Sequence, residues 1–390
     1  MKSCIILAPH LEYPLRNGAD IYVEKISRYL SIGCGQVSLL GTNTLTNYEN
    51  GTQVAQEHYE NSIRSKYWAA MRTLVFRTNY LAEKFLTPAF KTQAEVLMAQ
   101  RPNDLLICSL TVTASFLKKN GTSCPIIILT ENDEVAWFRN QRRHSHNPLQ
   151  KLSALFSEQW SVRFLRQHAQ EYIYIHITEA DQVGYEQIMP GHRCFVVPAG
   201  VNIENFSNNM PWDGIIRLLF VGSLSVKMSY DALFFFQKRF WPVLKDEFGE
   251  NIEMTVLGSR PSMGVRQLCR REKWKLLADA SEEKLYTQYG RATFAVLPFP
   301  YTTGAKLKLL SALAVGLPVL CTTNMKILPG QEFAPNLYSD EPREWRDHLN
   351  TFNLTGITSE QRASCQHYAS QYSWEIIAAD MARKLCDLGV

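Results

Sequence analysis

TTGAKLKLLSALAVGLPV, residues 302–319, decides the fold. It follows TFAVLP (293–298), an apolar run with the length and punctuation of a buried parallel strand. Two threonines and Gly304 make a short turn, and a helical pattern begins at once. Leu307, Leu310, Leu313 and Ala314 recur at helical spacing, which predicts one buried face. Gly316 stops the helix and Pro318 opens the next strand, PVLCT. Strand, small-residue turn, helix and strand make a βαβ unit with the helix N-terminus at the carboxyl ends of the strands. The backbone amides of Gly304, Ala305, Lys306 and Leu307 would there form an anion site, helped by the helix dipole. Gly304 permits close approach of a ligand to the backbone. Lys306 and Lys308 place cations where a first turn ordinarily prefers carboxylates. A solvated lysine pair on a plain crossover helix is the competing reading.

At 390 residues the chain can hold two domains, each with its own core. With 46% hydrophobic and 20% charged residues it is ordinary globular material, and no apolar window is long enough for a spanning helix. The first apolar run, residues 4–8, is too short for a signal peptide and ends in Pro9-His10, so it reads as a first strand. Nine cysteines are scattered singly, without C-x-x-C pairs or metal-like clustering with histidine. These features predict a reduced, cytoplasmic protein with no metal site. Net charge is only +4, but residues 61–91 carry six Lys/Arg against Glu83 alone, and 135–157 carry four against none. Interleaved Tyr67, Trp68, Phe76, Tyr80 and Phe85 suit this basic surface to anionic lipid. A solvated helical hairpin is the alternative there. Neither half shows a nucleic-acid-binding signature.

The α/β pattern runs through both halves. Strands are predicted at 3–8 and 36–40 around a helix carrying Val23, Ile26 and Leu30. Residues 59–100 have helical periodicity. Further strands fall at 104–109 and 125–130, and the second runs into Glu131-Asn132-Asp133-Glu134. Acidic groups at the carboxyl end of a parallel strand lie where open α/β sheets bind ligands, which makes Asp133 and Glu131 candidates. After an irregular stretch at 208–214 the pattern restarts. An apolar strand ends in Gly222-Ser223-Leu224, followed by Lys227 and a helix predicted over 229–241. A second strand ends in Gly258-Ser259-Arg260, and the fork of Arg260 can bind phosphate bidentately.

GAKLKLLSALAVGLPV resembles the donor-site segment of GT-B glycosyltransferases of family 4, which use nucleotide sugars. Lys308, Ala312, Gly316, Pro318 and Val319 match the family's pattern, whereas its paired glutamates fall on Thr303 and Ser311. The resemblance implies two Rossmann-like domains facing across a cleft. These are expected at 1–205 for the acceptor and 206–370 for the nucleotide sugar, with a terminal helix in 371–390 crossing back to the first domain. It implies that Gly18 lies against the donor diphosphate, that Lys227 reaches the donor phosphates beside Gly222 and Ser223, and that residues 276–285 frame the base. It places Asp133 or Glu131 toward the reacting sugar and Ser311 where the ribose is clamped. The expected activity is transfer from a nucleotide diphosphate sugar to a hydroxyl of a lipid-linked or cell-surface glycan. Retention and no metal requirement follow from the same resemblance; no cofactor is expected, and the basic N-terminal segments predict a protein peripheral on the inner face of the membrane. A weakly active or inactive GT-B partner subunit and a nucleotide-sugar epimerase are the alternatives.

Overall fold

The computed structural model describes residues 3–15, 18–100, 105–117, 124–145, 147–203, 212–301 and 307–389. Two bodies are present, one holding residues 1–199 and 374–390, the other residues 200–302 and 306–373. The terminal segment thus joins the first body at Trp374, three residues beyond the expected 371, and the chain changes body at 199/200 rather than 205/206.

In the first body β1 (Ser3–Leu7), α1 (Gly18–Cys34) and β2 (Gln36–Leu40) follow the apolar periodicity, with Val23, Ile26 and Leu30 buried. The next two strands, β3 (Thr44–Glu49) and β4 (Thr52–His58), form an antiparallel hairpin that the periodicity does not announce. Asn50 and Gly51 make its turn with φ of 48° and 76°, the left-handed pair that a two-residue hairpin requires. Three helices then replace the single helical region expected over 59–100: α2 (Lys66–Phe76), α3 (Tyr80–Phe85) and α4 (Pro88–Gln100). The body continues with β5 (Leu105–Ser109), α5 (Thr111–Leu117), β6 (Ile126–Thr130), α6 (Glu134–His144), α7 (Pro148–His168), β7 (Ile173–His176), α8 (Glu179–Glu186) and β8 (Cys194–Val196). The sheet order is β4-β3-β2-β1-β5-β6-β7-β8. Every pairing from β2 to β8 is parallel, and the hairpin supplies an antiparallel edge. Strand order reverses between β1 and β5, the switch point at which open sheets bind ligands.

The second body holds β9 (Ile216–Ser223), α9 (Lys227–Arg239), α10 (Trp241–Phe248), β10 (Ile252–Ser259), α11 (Met263–Glu272), β11 (Lys275–Ala278), α12 (Glu282–Arg291), β12 (Phe294–Leu297), α13 (Leu307–Ala314), β13 (Val319–Cys321), β14 (Leu337–Tyr338), α14 (Pro342–Phe352) and α15 (Ser359–Ser370). Its six strands, in order β11-β10-β9-β12-β13-β14, are all parallel, with the switch between β9 and β12. The helix expected over 229–241 ends at Arg239, because Pro242 starts α10 in its first turn. Helix α13 buries Leu309, Leu310, Ala312, Leu313 and Ala314, more than one face, because α15 packs on it as well as the sheet. The last helix, α16 (Trp374–Asp387), packs on α1 of the first body, with the Trp374 ring 6.0 Å from Tyr22. Lys384 Nζ donates to the Val196 carbonyl at 2.9 Å.

Candidate functional site

In the first body, the loop after β1 brings His10 to the switch point. His10 Nε2 stands 3.1 Å from Glu131 Oε1 and 3.7 Å from Asp20 Oδ1, and all three side chains are buried. Burial disfavours the imidazolium, but Glu131 and then Asp20 outweigh it, so the His10 pKa is raised. Ser109 at the end of β5 donates to the same Glu131 oxygen. His10 Nδ1 has no hydrogen-bond partner among the described residues.

The other two acids of the 131–134 tetrapeptide serve the local fold. Asp133 is the N-cap of α6, accepting from Ala136 N at 2.8 Å, and burial raises its pKa. Glu134 accepts from Thr111 N at 2.8 Å and Thr111 Oγ1 at 2.6 Å, and burial pushes its pKa up to about 7. Asp133 and Glu131, the two sequence candidates, therefore face different partners. His10, Asp20 and Ser109 were missed. The only signal for His10 is its place at the carboxyl end of the first strand.

Phe85 packs edge-on to His10, with ring centres 6.1 Å apart, and also lines a groove of about 510 Å³. Leu81, Tyr80, Tyr67 and Trp137 line the same groove, with Lys66 and Lys84. Lys84 lies over the Phe85 ring at 4.4 Å, and burial, then Lys66, lowers its pKa. Much of the basic excess read from the sequence is compensated nearby. Arg72 and Arg64 pair with Glu83 at 2.7 and 3.6 Å, and Arg139 and Arg142 share Glu158 at 3.1 Å each. Helix α2 nevertheless leaves Tyr67, Trp68, Val75 and Phe76 exposed. None of the described helices is long and apolar enough to cross a membrane.

The second body gathers cations at its own switch point. A Cβ on Gly222, at the end of β9, would lie 2.6 Å from Lys308 Nζ, so glycine is what lets the lysine cross the strand end. The ammonium stands 5.5 Å from the Phe220 ring centre and 5.1 Å from that of Phe299. Burial pushes its pKa down to about 8, and no described carboxylate pairs with it to restore the charge. Ser311 lies one turn further along α13, half-buried.

Two loops frame this lysine. Gly258 on β10 must also be glycine, because a Cβ there would fall 1.7 Å from the Gly222 carbonyl oxygen. Leu224 N donates to Ser259 O at 2.9 Å, and the Asp279 carboxylate accepts from Arg260 N at 2.8 Å. Arg260 and Asp279 both adopt left-handed backbone, with φ of 46° and 50°, and that hydrogen bond holds the turn. The Arg260 side chain is exposed. Helix α9 starts at Lys227 with no side-chain cap, which leaves its first amides to a ligand or to solvent. Lys227 pairs with Asp231 at 2.6 Å, and Tyr301 donates to the same Asp231 oxygen. Asp231 and Tyr301 were also missed, although Lys227 and Asp231 have the spacing of a helical ion pair. Ser223 Oγ lies 3.3 Å from Ser225 Oγ, and Gly18 opens α1 in the first body. Leu307 opens α13; Thr303, Gly304, Ala305 and Lys306 lie outside the described residues.

Residues 216–339 match the family described as glycosyl transferases group 1. No curated protein matches the chain in sequence. Among solved structures it is similar to the sucrose-phosphate synthase of Thermosynechococcus elongatus, with a TM-score of 0.68 at 12% identity over 100% of this chain and 99% of that one. It is similar to a glycosyltransferase from Rickettsia africae ESF-5, at 0.61 and 9% identity over 99% and 97% of the two chains. It also resembles HepE from Anabaena in complex with UDP, at 0.58 and 14% identity over 99% and 100%. The chain thus has the GT-B fold of these structures. The glycosyl transferases group 1 match lies within its second body, and together with the shared fold it supports glycosyl transfer.

Proposed function

We propose that this chain moves a sugar from a nucleotide diphosphate sugar to a hydroxyl of a lipid-linked or cell-surface glycan, with retention and without a metal. The observation that carries the donor half is Lys308. A buried ammonium with no described carboxylate partner is costly, and a diphosphate anion offsets that cost. The uncapped start of α9, with Lys227, and the turn bearing Arg260 add donors and charge at neighbouring strand ends. Such preorganised groups stabilise the leaving diphosphate as the bond to the sugar breaks and the electron pair moves onto it. HepE, which shares the fold, was solved with UDP-glucose, which supports this donor class.

The acceptor belongs to the first body. Glu131 is the acid assigned to it, and it acts through His10, whose Nδ1 is left to a ligand oxygen. The aromatic groove beside Phe85 suits the apolar portion of a lipid-linked acceptor, and exposed Trp68 and Phe76 beside Lys66 and Arg77 suit an anionic membrane surface. Ser311, neutral where the family places a ribose-binding glutamate, favours the second reading of a weakly active partner subunit.

A thermal-shift panel of nucleotide diphosphates and their sugars tests the proposal. A true donor at 100 times its dissociation constant stabilises the fold by about 2.7 kcal/mol. No stabilisation by any nucleotide would favour the partner subunit.

A further inference from the structure

Away from both switch points, the far edge of the first body's sheet brings His176 against His192 and Cys194, which are two residues apart in the sequence. His176 ends β7, Cys194 starts β8 beside it, and His192 stands just before β8. One ring nitrogen of each histidine and the Cys194 sulfur all lie within 4.8 Å of one another. The two Nε2 atoms are 2.9 Å apart.

The outer nitrogens fix where the protons are. His192 Nδ1 faces the Met189 carbonyl at 2.9 Å and the Glu186 carboxylate at 3.1 Å. A carbonyl and a carboxylate only accept, so this nitrogen carries the hydrogen. His176 Nδ1 faces Thr130 Oγ1 at 2.8 Å, and that hydroxyl gives its own hydrogen to the Ile175 carbonyl at 3.0 Å. His176 therefore donates from Nδ1 as well. Two neutral rings so arranged point bare lone pairs at each other across 2.9 Å. That contact is repulsive unless a cation stands between them.

We propose that His176, His192 and Cys194 bind one divalent cation of the zinc class, holding the edge strand β8 to β7. The arrangement of the outer nitrogens is the one that metal-bound histidines require, with each second N–H anchored to a carbonyl, carboxylate or hydroxyl. Gln182 Nε2 donates to Cys194 Sγ at 3.4 Å and orients the sulfur. Two imidazoles and a thiolate select zinc over calcium or magnesium, whose ligands are oxygens. Tetrahedral zinc sets N···N near about 3.3 Å and N···S near about 3.6 Å, so the rings part slightly and the sulfur closes by at most about 1.2 Å. Cys194 is half-buried, which leaves the fourth position to water.

The test uses the full chain, stripped of metal by a chelator and kept reduced. Competition titration should show one tightly held Zn²⁺ per chain, and Co²⁺ should give a thiolate-to-cobalt absorption band. Cys194→Ser and His192→Gln should each weaken zinc by at least about a hundredfold, and Cys194→Ser should abolish the band. Should a variant fail to fold, the wild-type chain still decides: zinc should slow alkylation of Cys194 but not of the exposed Cys386. The proposal is overturned if zinc does not bind stoichiometrically, if the band survives Cys194→Ser, or if zinc leaves Cys194 alkylation unchanged. In those cases a proton shared between the two rings takes the place of the metal.

Discussion

Each body has its own sheet with a switch point, yet the acids at the first and Lys308 at the second are treated in opposite ways. In the first body every acid of the 131–134 tetrapeptide has a protein partner: Glu131 has His10 and Ser109, Asp133 caps α6, and Glu134 holds Thr111. In the second body Lys308 is half-buried, its ammonium set against the Phe220 and Phe299 rings without a described counter-charge. An ion pair fixes geometry, whereas a lone buried charge keeps binding energy for whatever neutralises it. The first site is therefore organised before ligand arrives, and the second is completed by ligand.

The comparison breaks most visibly at His10. His10→Gln should lower turnover by about a hundredfold or more, the scale on which a positioned acid or base acts. Nucleotide affinity should stay within about twofold, because the donor groups belong to the other body. Steady-state kinetics beside calorimetry separate the two effects, and an unchanged turnover would remove His10 and Glu131 from the reaction.

A smaller effect is expected at Ser311. Ser311→Glu restores a charge-assisted acceptor one turn beyond Lys308, and nucleotide binding should tighten about tenfold, or about 1.4 kcal/mol. Weaker binding by calorimetry would mean that the ribose is held elsewhere. The smallest change is expected at Asp133. Asparagine caps a helix as well as aspartate does, so Asp133→Asn should shift stability by less than about 0.5 kcal/mol and leave turnover intact. Lost turnover with an unchanged denaturation midpoint would make Asp133 a catalytic carboxylate rather than a cap.

The second body was legible because its signals are local. Near-continuous apolar strands end in glycine turns: Gly222 and Gly258 lie at the ends of strands that periodicity reveals, and Lys308 lies in the first turn of a helix whose apolar spacing is equally plain. The first body hid more. Strands β3 and β4, TLTNYE and TQVAQEH, are too polar to stand out, and only Asn50-Gly51 marked their hairpin. His10, Asp20, Ser109 and Glu131 come from four separate elements or loops, and spacing cannot predict contacts made by strand order. The His192-x-Cys194 spacing is local, but only the parallel pairing of β7 with β8 brings His176 to it. The uneven charge of residues 61–91 was read correctly, but Glu83 neutralises more of it than a count suggests, by facing both Arg64 and Arg72.

The central claim is that Lys308 waits for a diphosphate, and its titration tests this most directly. With its pKa near about 8 in the free protein, Lys308 is charged at pH 7 and largely neutral at pH 9. An anion prefers the protonated form, so UDP affinity measured by calorimetry should fall as pH rises through about 8. Lys308→Met should bind about ten- to a hundredfold more weakly at pH 7 and lose that pH dependence. Wild-type affinity that stays level from pH 7 to 9, or a Lys308→Met variant that binds as tightly as wild type, would contradict the account.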